Sequence, residues 1–247
     1  MERWKYFDIT HRDHILCNPL DPTKLDELLG LVNLPDGARV LDIATGKGEV
    51  LIRLAERTGL RGIGVDLSPF CVRDAGATAR QRGVDARVAF VLADGASFDP
   101  GADPFDLTLC IGASWVFGGH RDTLTALRDR TRPGGQILVG EPYWRTNPSQ
   151  EYLAAVQLAP DAFLTHAGNV AAGADMGLVP LYTMVSSADD WDRYEGLQWR
   201  AAERYAVSHP DDPDVPELLE RSRHRRDAYL AHGRDVLGWA LYLFRRA

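Results

Sequence analysis

Between Ala38 and Trp144, short apolar runs alternate with segments of helical periodicity, the pattern of βαβ units around a parallel sheet. Arg39–Ile43, Gly62–Asp66, Arg87–Leu92 and Asp106–Ile111 read as strands, and Gln136–Gly140 follows the turn signal Arg132-Pro133-Gly134-Gly135 as another. Strands this apolar belong in a sheet covered on both faces. Glu49–Arg57 sets Val50, Leu51, Leu54 and Ala55 at helical spacing, Pro69–Gln81 opens behind Ser68 as an N-cap, and Arg121–Arg130 carries Leu124 and Leu127. Each reads as a crossover helix. Right-handed crossovers make this an open, doubly wound α/β sheet, whose ligands bind beyond the carboxyl ends of the strands.

The rest of the chain follows another pattern. Ser149–Asp161, Asp189–Val207 and Pro216–His232 read as helices, while Leu178–Ser186 and Val236–Phe244 read as strands that add an edge hairpin to the sheet. No internal repeat or long flexible linker divides the 247 residues, so one domain with a helical cover is expected. A net charge of −7 argues against a footprint on nucleic acid phosphates. Cys17, Cys71 and Cys110 have no CxxC spacing, and with no basic leader before an apolar run at Met1–Asp13 a reducing cytoplasm is the expected home. The apolar run Val236–Phe244 is about half of a helical membrane span, so no membrane partner is expected.

The most informative segment is Val40-Leu41-Asp42-Ile43-Ala44-Thr45-Gly46-Lys47-Gly48-Glu49, a strand that runs into small residues and then opens a helix. Gly46 and Gly48 let backbone approach a ligand closely and offer free amides near a helix N-terminus. The dinucleotide fingerprint asks for a third small residue three positions after the second glycine, and Leu51 stands there instead. Asp42 opposes a pyrophosphate further, since a carboxylate at that strand end suits a cationic group such as an ammonium. Asp66 closes the next strand where an acid accepting ribose hydroxyls is expected, and Asp94 ends the third, where it is able to accept from an adenine amine.

With these motifs in order, VLDIATGKGE, GVDLS, LADGAS, FDLTLCIGA and RPGGQILVGEPYW, the chain resembles the class I S-adenosylmethionine-dependent methyltransferases from about Leu25 to Trp144. The resemblance implies a mostly parallel, Rossmann-like seven-stranded sheet whose last strand is antiparallel, and S-adenosylmethionine as cofactor with S-adenosylhomocysteine as product. It implies that Asp42, Ala44, Gly46 and Gly48 line the methionine end, Asp66 and Leu67 the ribose, Asp94 and Gly95 the adenine, with Ile111 and Gly112 beside the sulfonium. The family usually has glycine where this chain has Ala44, which predicts a slightly shifted methionine pocket. On this reading, residues 1–34 form an N-terminal helical lid, 35–145 the cofactor-binding core, and 146–247 the acceptor-side helices with the last two strands.

Methyl transfer is an in-line displacement, so the protein mainly aligns donor and acceptor and excludes water. A general base near the methyl group serves acceptors that must lose a proton. Trp115 after the fourth strand, and Glu141 and Tyr143 after the fifth, are candidates at the carboxyl edge. His11 and His14 in the aromatic N-terminal segment are two more; three residues apart and without further ligands spaced with them, they make no metal site. Trp191, Tyr194, Glu195, Trp199 and Tyr205 repeat at helical spacing, which fits a core-packed face or the roof of an acceptor pocket. The expected activity is methylation of an oxygen, nitrogen or carbon atom of a small molecule. A non-catalytic S-adenosylmethionine sensor and an NAD(P)-dependent oxidoreductase are the alternatives. The acceptor and the oligomeric state are not legible.

Overall fold

The computed structural model describes residues 1–247. Two helices, α1 (Arg3–Thr10) and α2 (Pro22–Leu29), precede the strand β1 (Arg39–Ile43). Then follow α3 (Glu49–Arg57), β2 (Arg61–Asp66), α4 (Pro69–Gln81), β3 (Val88–Leu92), β4 (Phe105–Ile111), α5 (His120–Arg130) and β5 (Thr131–Trp144). The last part holds α6 (Gln150–Val156), α7 (His166–Asp175), β6 (Leu178–Val185), α8 (Ala188–Ser208), α9 (Val215–Ala228) and β7 (Leu237–Arg246).

The strands form one seven-stranded sheet in the order β3-β2-β1-β4-β5-β7-β6. The first five are parallel, and β7 runs antiparallel between β5 and β6. The expected edge hairpin is therefore corrected in detail: the late strands do pair, but α8 and α9 join them, and the chain's last strand lies inside with β6 at the edge. That placement explains the length of β5, which pairs with β7 out to Trp144 after leaving β4 at Gly140. The helix expected over Ser149–Asp161 stops at Val156, where Gln157 turns left-handed ahead of Pro160. The one expected over Pro216–His232 widens into a π turn at Tyr229–Gly233.

Alternation along the strands splits the core between the two faces. Val40, Leu107, Leu109, Leu138 and Leu241 pack with the leucines of α2 and α3, and with Trp191 of α8. Leu41, Ile43, Val139, Ala240 and Tyr242 pack against Leu124 and Leu127 of α5 and Ala172 of α7. Leu51, the residue that breaks the dinucleotide pattern, fits because its partner strand gives way: a Cβ on Gly62 would lie 2.5 Å from the Leu51 side chain. The space that a small residue on the helix leaves in the fingerprint is here left by a glycine on β2.

Candidate active site

The carboxyl ends of β1, β2 and β4 face one cleft of about 1000 Å³, counting its open mouth. That is the upper end of the range for sites that bury a small organic ligand. Asp42, Ala44, Gly46, Asp66, Leu67, Gly95, Ile111 and Gly112 form its floor, Arg3, Trp4 and Phe7 of α1 with Ile15 to Asn18 its roof, and Trp115 with Val116 one side. The structure thus gathers every sequence-derived cofactor residue except Gly48 and Asp94. Gly48 is buried at the start of α3. Asp94 is exposed and caps its own turn, accepting from the Ala96 amide at 3.0 Å, so that Gly95 alone of this pair reaches the cleft.

Ala44, Gly46 and Gly48 have φ of 56°, 57° and 74°. Ala44 keeps the left-handed backbone that suits glycine, so its methyl group is accommodated at the cost of backbone strain rather than a rebuilt loop. The loop is fixed from below by Asp66, whose carboxylate oxygens accept the Gly46 and Ser68 amides at 2.8 Å each. Burial pushes this carboxyl up and the two amides pull it down. Each oxygen retains acceptor capacity for a hydroxyl donor.

Asp42 is 2% exposed and takes one hydrogen bond, from the Thr45 hydroxyl at 2.7 Å. Burial pushes it up to about 7, helped by the nearby Asp66 charge. A carboxylate in such a position is stabilised by a cation brought by the ligand. Cys17 lines the roof, but burial pushes its thiol up to about 11, which keeps it protonated and unfit as a nucleophile.

Two contacts that carry no sequence signal hold the roof down. The Lys47 ammonium, rising from the glycine loop, donates to the carbonyls of His11, Arg12 and His14 at 2.7, 3.3 and 3.0 Å, tying down the turn that follows α1. The Asn18 amide donates to the Ile111 carbonyl at 3.4 Å, and its oxygen lies 1.9 Å from where a Cβ on Gly112 would stand. Only glycine at 112 lets this segment settle on the end of β4.

The sequence-derived catalytic candidates divide. Trp115 lines the cleft, 51% exposed, with the Arg3 guanidinium 4.6 Å above its ring. The structure does not bring the other four to the cleft wall. His11 is buried, stacked on Phe7 at 3.9 Å, and its Nε2 meets the Tyr194 hydroxyl at 3.0 Å. His14 Nε2 donates to the Tyr194 carbonyl at 2.9 Å. Burial lowers both imidazoles, so they are neutral pins between α1 and α8. Glu141 lies behind Ser114, whose hydroxyl donates to it at 2.9 Å, and burial pushes it up to about 7. Tyr143 packs over Gly238 with its ring 5.1 Å from His166.

The model of the methyltransferase-domain family matches residues 40–135. Uncharacterized protein YjhP of Escherichia coli K12 is 32% identical over 241 residues, 96% of each chain. A methyltransferase from Geobacter sulfurreducens, crystallised with S-adenosylhomocysteine, superposes with a TM-score of 0.92 at 31% identity over 98% of both chains. The chain belongs to the S-adenosylmethionine-dependent methyltransferases. A 27-O-demethylrifamycin SV methyltransferase from Amycolatopsis mediterranei is similar at 27% identity over 218 residues, 80% of this chain and 75% of that one.

S-Adenosylmethionine is accordingly the cofactor of this methyltransferase. The cleft fits it: Asp42 is a buried acid without a protein cation, Asp66 has acceptor capacity to spare, and the left-handed loop exposes backbone to the ligand. No three His, Cys, Asp or Glu side chains converge as a metal site in this methyltransferase, and no helix is long and apolar enough to cross a membrane.

Proposed function

We propose that this methyltransferase moves the methyl group of S-adenosylmethionine to an oxygen, nitrogen or carbon atom of a small molecule. The observation that carries this reading is the roof. Phe7, Ile15, Leu16 and Cys17 cover the cleft with largely apolar surface, which suits a small molecule enclosed away from water better than a macromolecule laid across an open face. A net charge of −7 points the same way. The Amycolatopsis mediterranei relative is named for a rifamycin acceptor, which supports this class of substrate.

The cofactor supplies a methyl group on a positively charged sulfur, open to displacement along the line of the bond. In this reading, Asp66 and Leu67 hold the ribose, Gly95 and the turn of Asp94 hold the adenine, and Asp42 faces the methionine ammonium. Ala44 and Gly46 present backbone to the methionine end, Gly48 turns the loop into α3 behind them, and Ile111 and Gly112 stand beside the sulfur. Trp115 contacts the acceptor. His11, His14, Glu141 and Tyr143 act from behind the walls, holding α1, Ser114 and β7 in place. Alignment and exclusion of water carry the rate, effects worth roughly 7–11 kcal/mol when geometry is good.

The test is incorporation of a radiolabelled methyl group with a cell extract divided by ultrafiltration. Label in the metabolite fraction is expected, and label confined to protein or nucleic acid would overturn the small-molecule reading.

A further inference from the structure

The walls of the cofactor cleft hold two cations, Lys47 and Arg3. The Lys47 ammonium is taken up by the carbonyls of His11, Arg12 and His14. The exposed Arg3 guanidinium has no hydrogen bond and no ion pair within the protein; it lies over two indole rings, 4.8 Å from the centroid of Trp4 and 4.6 Å from that of Trp115. The acids nearest along the chain are committed elsewhere. Glu2 caps α1, accepting the Trp4 and Lys5 amides at 2.8 Å each, and Asp8 pairs with Arg12 and Arg73. Within the cleft, Glu49 is held by Arg53 and Arg82, while Asp42 and Asp66 bond to the glycine loop on the floor.

An exposed arginine often goes without a partner, but its side chain is then free to wander. Two rings hold this one. A guanidinium over an aromatic ring engages its charge and its flat face, whereas its five N–H donors lie in the plane and stay open. Because stacking already restricts the side chain, little further freedom is lost when those donors close on a ligand. Their planar fork matches the paired oxygens of a carboxylate or a phosphate. The half-exposed Trp115 stands in the turn Ser114–Val116, which buries none of its residues, so its indole has surface left for a ligand. That turn follows β4, whose end at Ile111 and Gly112 lines the same cleft. The open donors and the open ring therefore stand on the side of the cleft where the reading above puts the sulfur and the acceptor.

We propose that Arg3, held against Trp115, binds an oxyanion of the methyl acceptor, a carboxylate or phosphate, and so selects acidic small molecules. This deepens the small-molecule reading above and rests on it. Trp115 serves twice, ordering the guanidinium and offering its uncovered surface to the carbon frame of the acceptor.

The test uses the full chain with radiolabelled S-adenosylmethionine and the metabolite fraction of a cell extract, divided on an anion exchanger at neutral pH. Methyl incorporation is expected from the retained half, about tenfold or more above that from the half that flows through. Arg3→Gln should lower labelling of the retained half by about tenfold or more, while affinity for S-adenosylhomocysteine in calorimetry stays within about twofold. Comparable labelling of the two halves, label from the flow-through alone, or retained-half labelling that survives Arg3→Gln would overturn the proposal. A variant that loses affinity for S-adenosylhomocysteine but keeps it for 5′-methylthioadenosine, which has no carboxylate, would assign Arg3 to the cofactor and overturn it as well. The comparison of halves needs only the unaltered protein, so the proposal stands or falls even if the variant does not fold. Failure of the underlying reading shows separately, as label in protein or nucleic acid with neither half of the metabolite fraction labelled.

Discussion

The floor of the cleft comes from strand ends that follow one another along the chain, Asp42, Asp66 and Ile111, each placed by the register of a parallel sheet. Its roof comes from α1 and the segment to Asn18, pinned to α8 by contacts that span 183 and 180 residues, from His11 and from His14 to Tyr194. The floor is made of backbone and carboxylates whose positions are shared with the whole sheet. The roof is held by side chains and by the Lys47 ammonium, which clasps the turn that follows α1. If the proposed reading holds, affinity for the cofactor is expected to follow chiefly the floor, and the rates of entry and escape the roof.

The largest expected effect is on the floor, at Asp42. Its folded-state pKa of about 7 lies above the ordinary value of 3.8, so the native state holds more protons between these values and stability falls as pH rises through that window. Asp42→Asn does not titrate, so without cofactor the variant should gain about 3–4 kcal/mol over the parent at pH 8 and little near pH 4, measured by denaturant titration. A gain independent of pH would mean that packing, not ionisation, strains this site. Asp66→Ala should weaken S-adenosylmethionine binding by about 2–3 kcal/mol, some 30- to 150-fold, in calorimetry. Unchanged affinity would remove Asp66 from the floor.

The roof should respond in time rather than in affinity. Lys47→Met gives up the ammonium's hydrogen bonds but keeps the length of the side chain, and release of S-adenosylhomocysteine in stopped flow should quicken about five- to tenfold, equivalent to about 1 kcal/mol. Faster release with entry unaltered, and so a loss of affinity of the same size, would place Lys47 with the floor. The smallest effect is expected at Ala44. Glycine there relieves a left-handed backbone but adds entropy to the unfolded chain, terms of about 1 kcal/mol that oppose each other, so the melting temperature of Ala44→Gly should stay within a few degrees.

Local pattern was enough for the parallel strands and the crossover helices, because apolar runs, caps and turns act over a few residues. Ser68 caps α4 as its position predicts, and the ends of β1, β2 and β4 fall where the apolar runs stop. Asp42, Asp66, Ile111 and Gly112 could be placed together because a parallel sheet brings all its strand ends to one edge. The helix α7 went unread, since His166–Asp175 is a run of alanine, glycine and asparagine whose buried face is set by β6 and β7 rather than by its own periodicity.

The sequence by itself determined a Rossmann-like sheet, a glycine loop and the acids that face it. Tertiary structure alone decided that β7 enters between β5 and β6, that Gly62 makes room for Leu51, and that His11, His14 and Glu141 stand behind the cleft rather than in it. It also decided that Lys47, Asn18 and Tyr194 close the roof. Those outcomes depend on groups far apart in the chain whose meeting is fixed by packing and by the pairing of buried polar atoms, and neither leaves a periodic mark on the residues that take part.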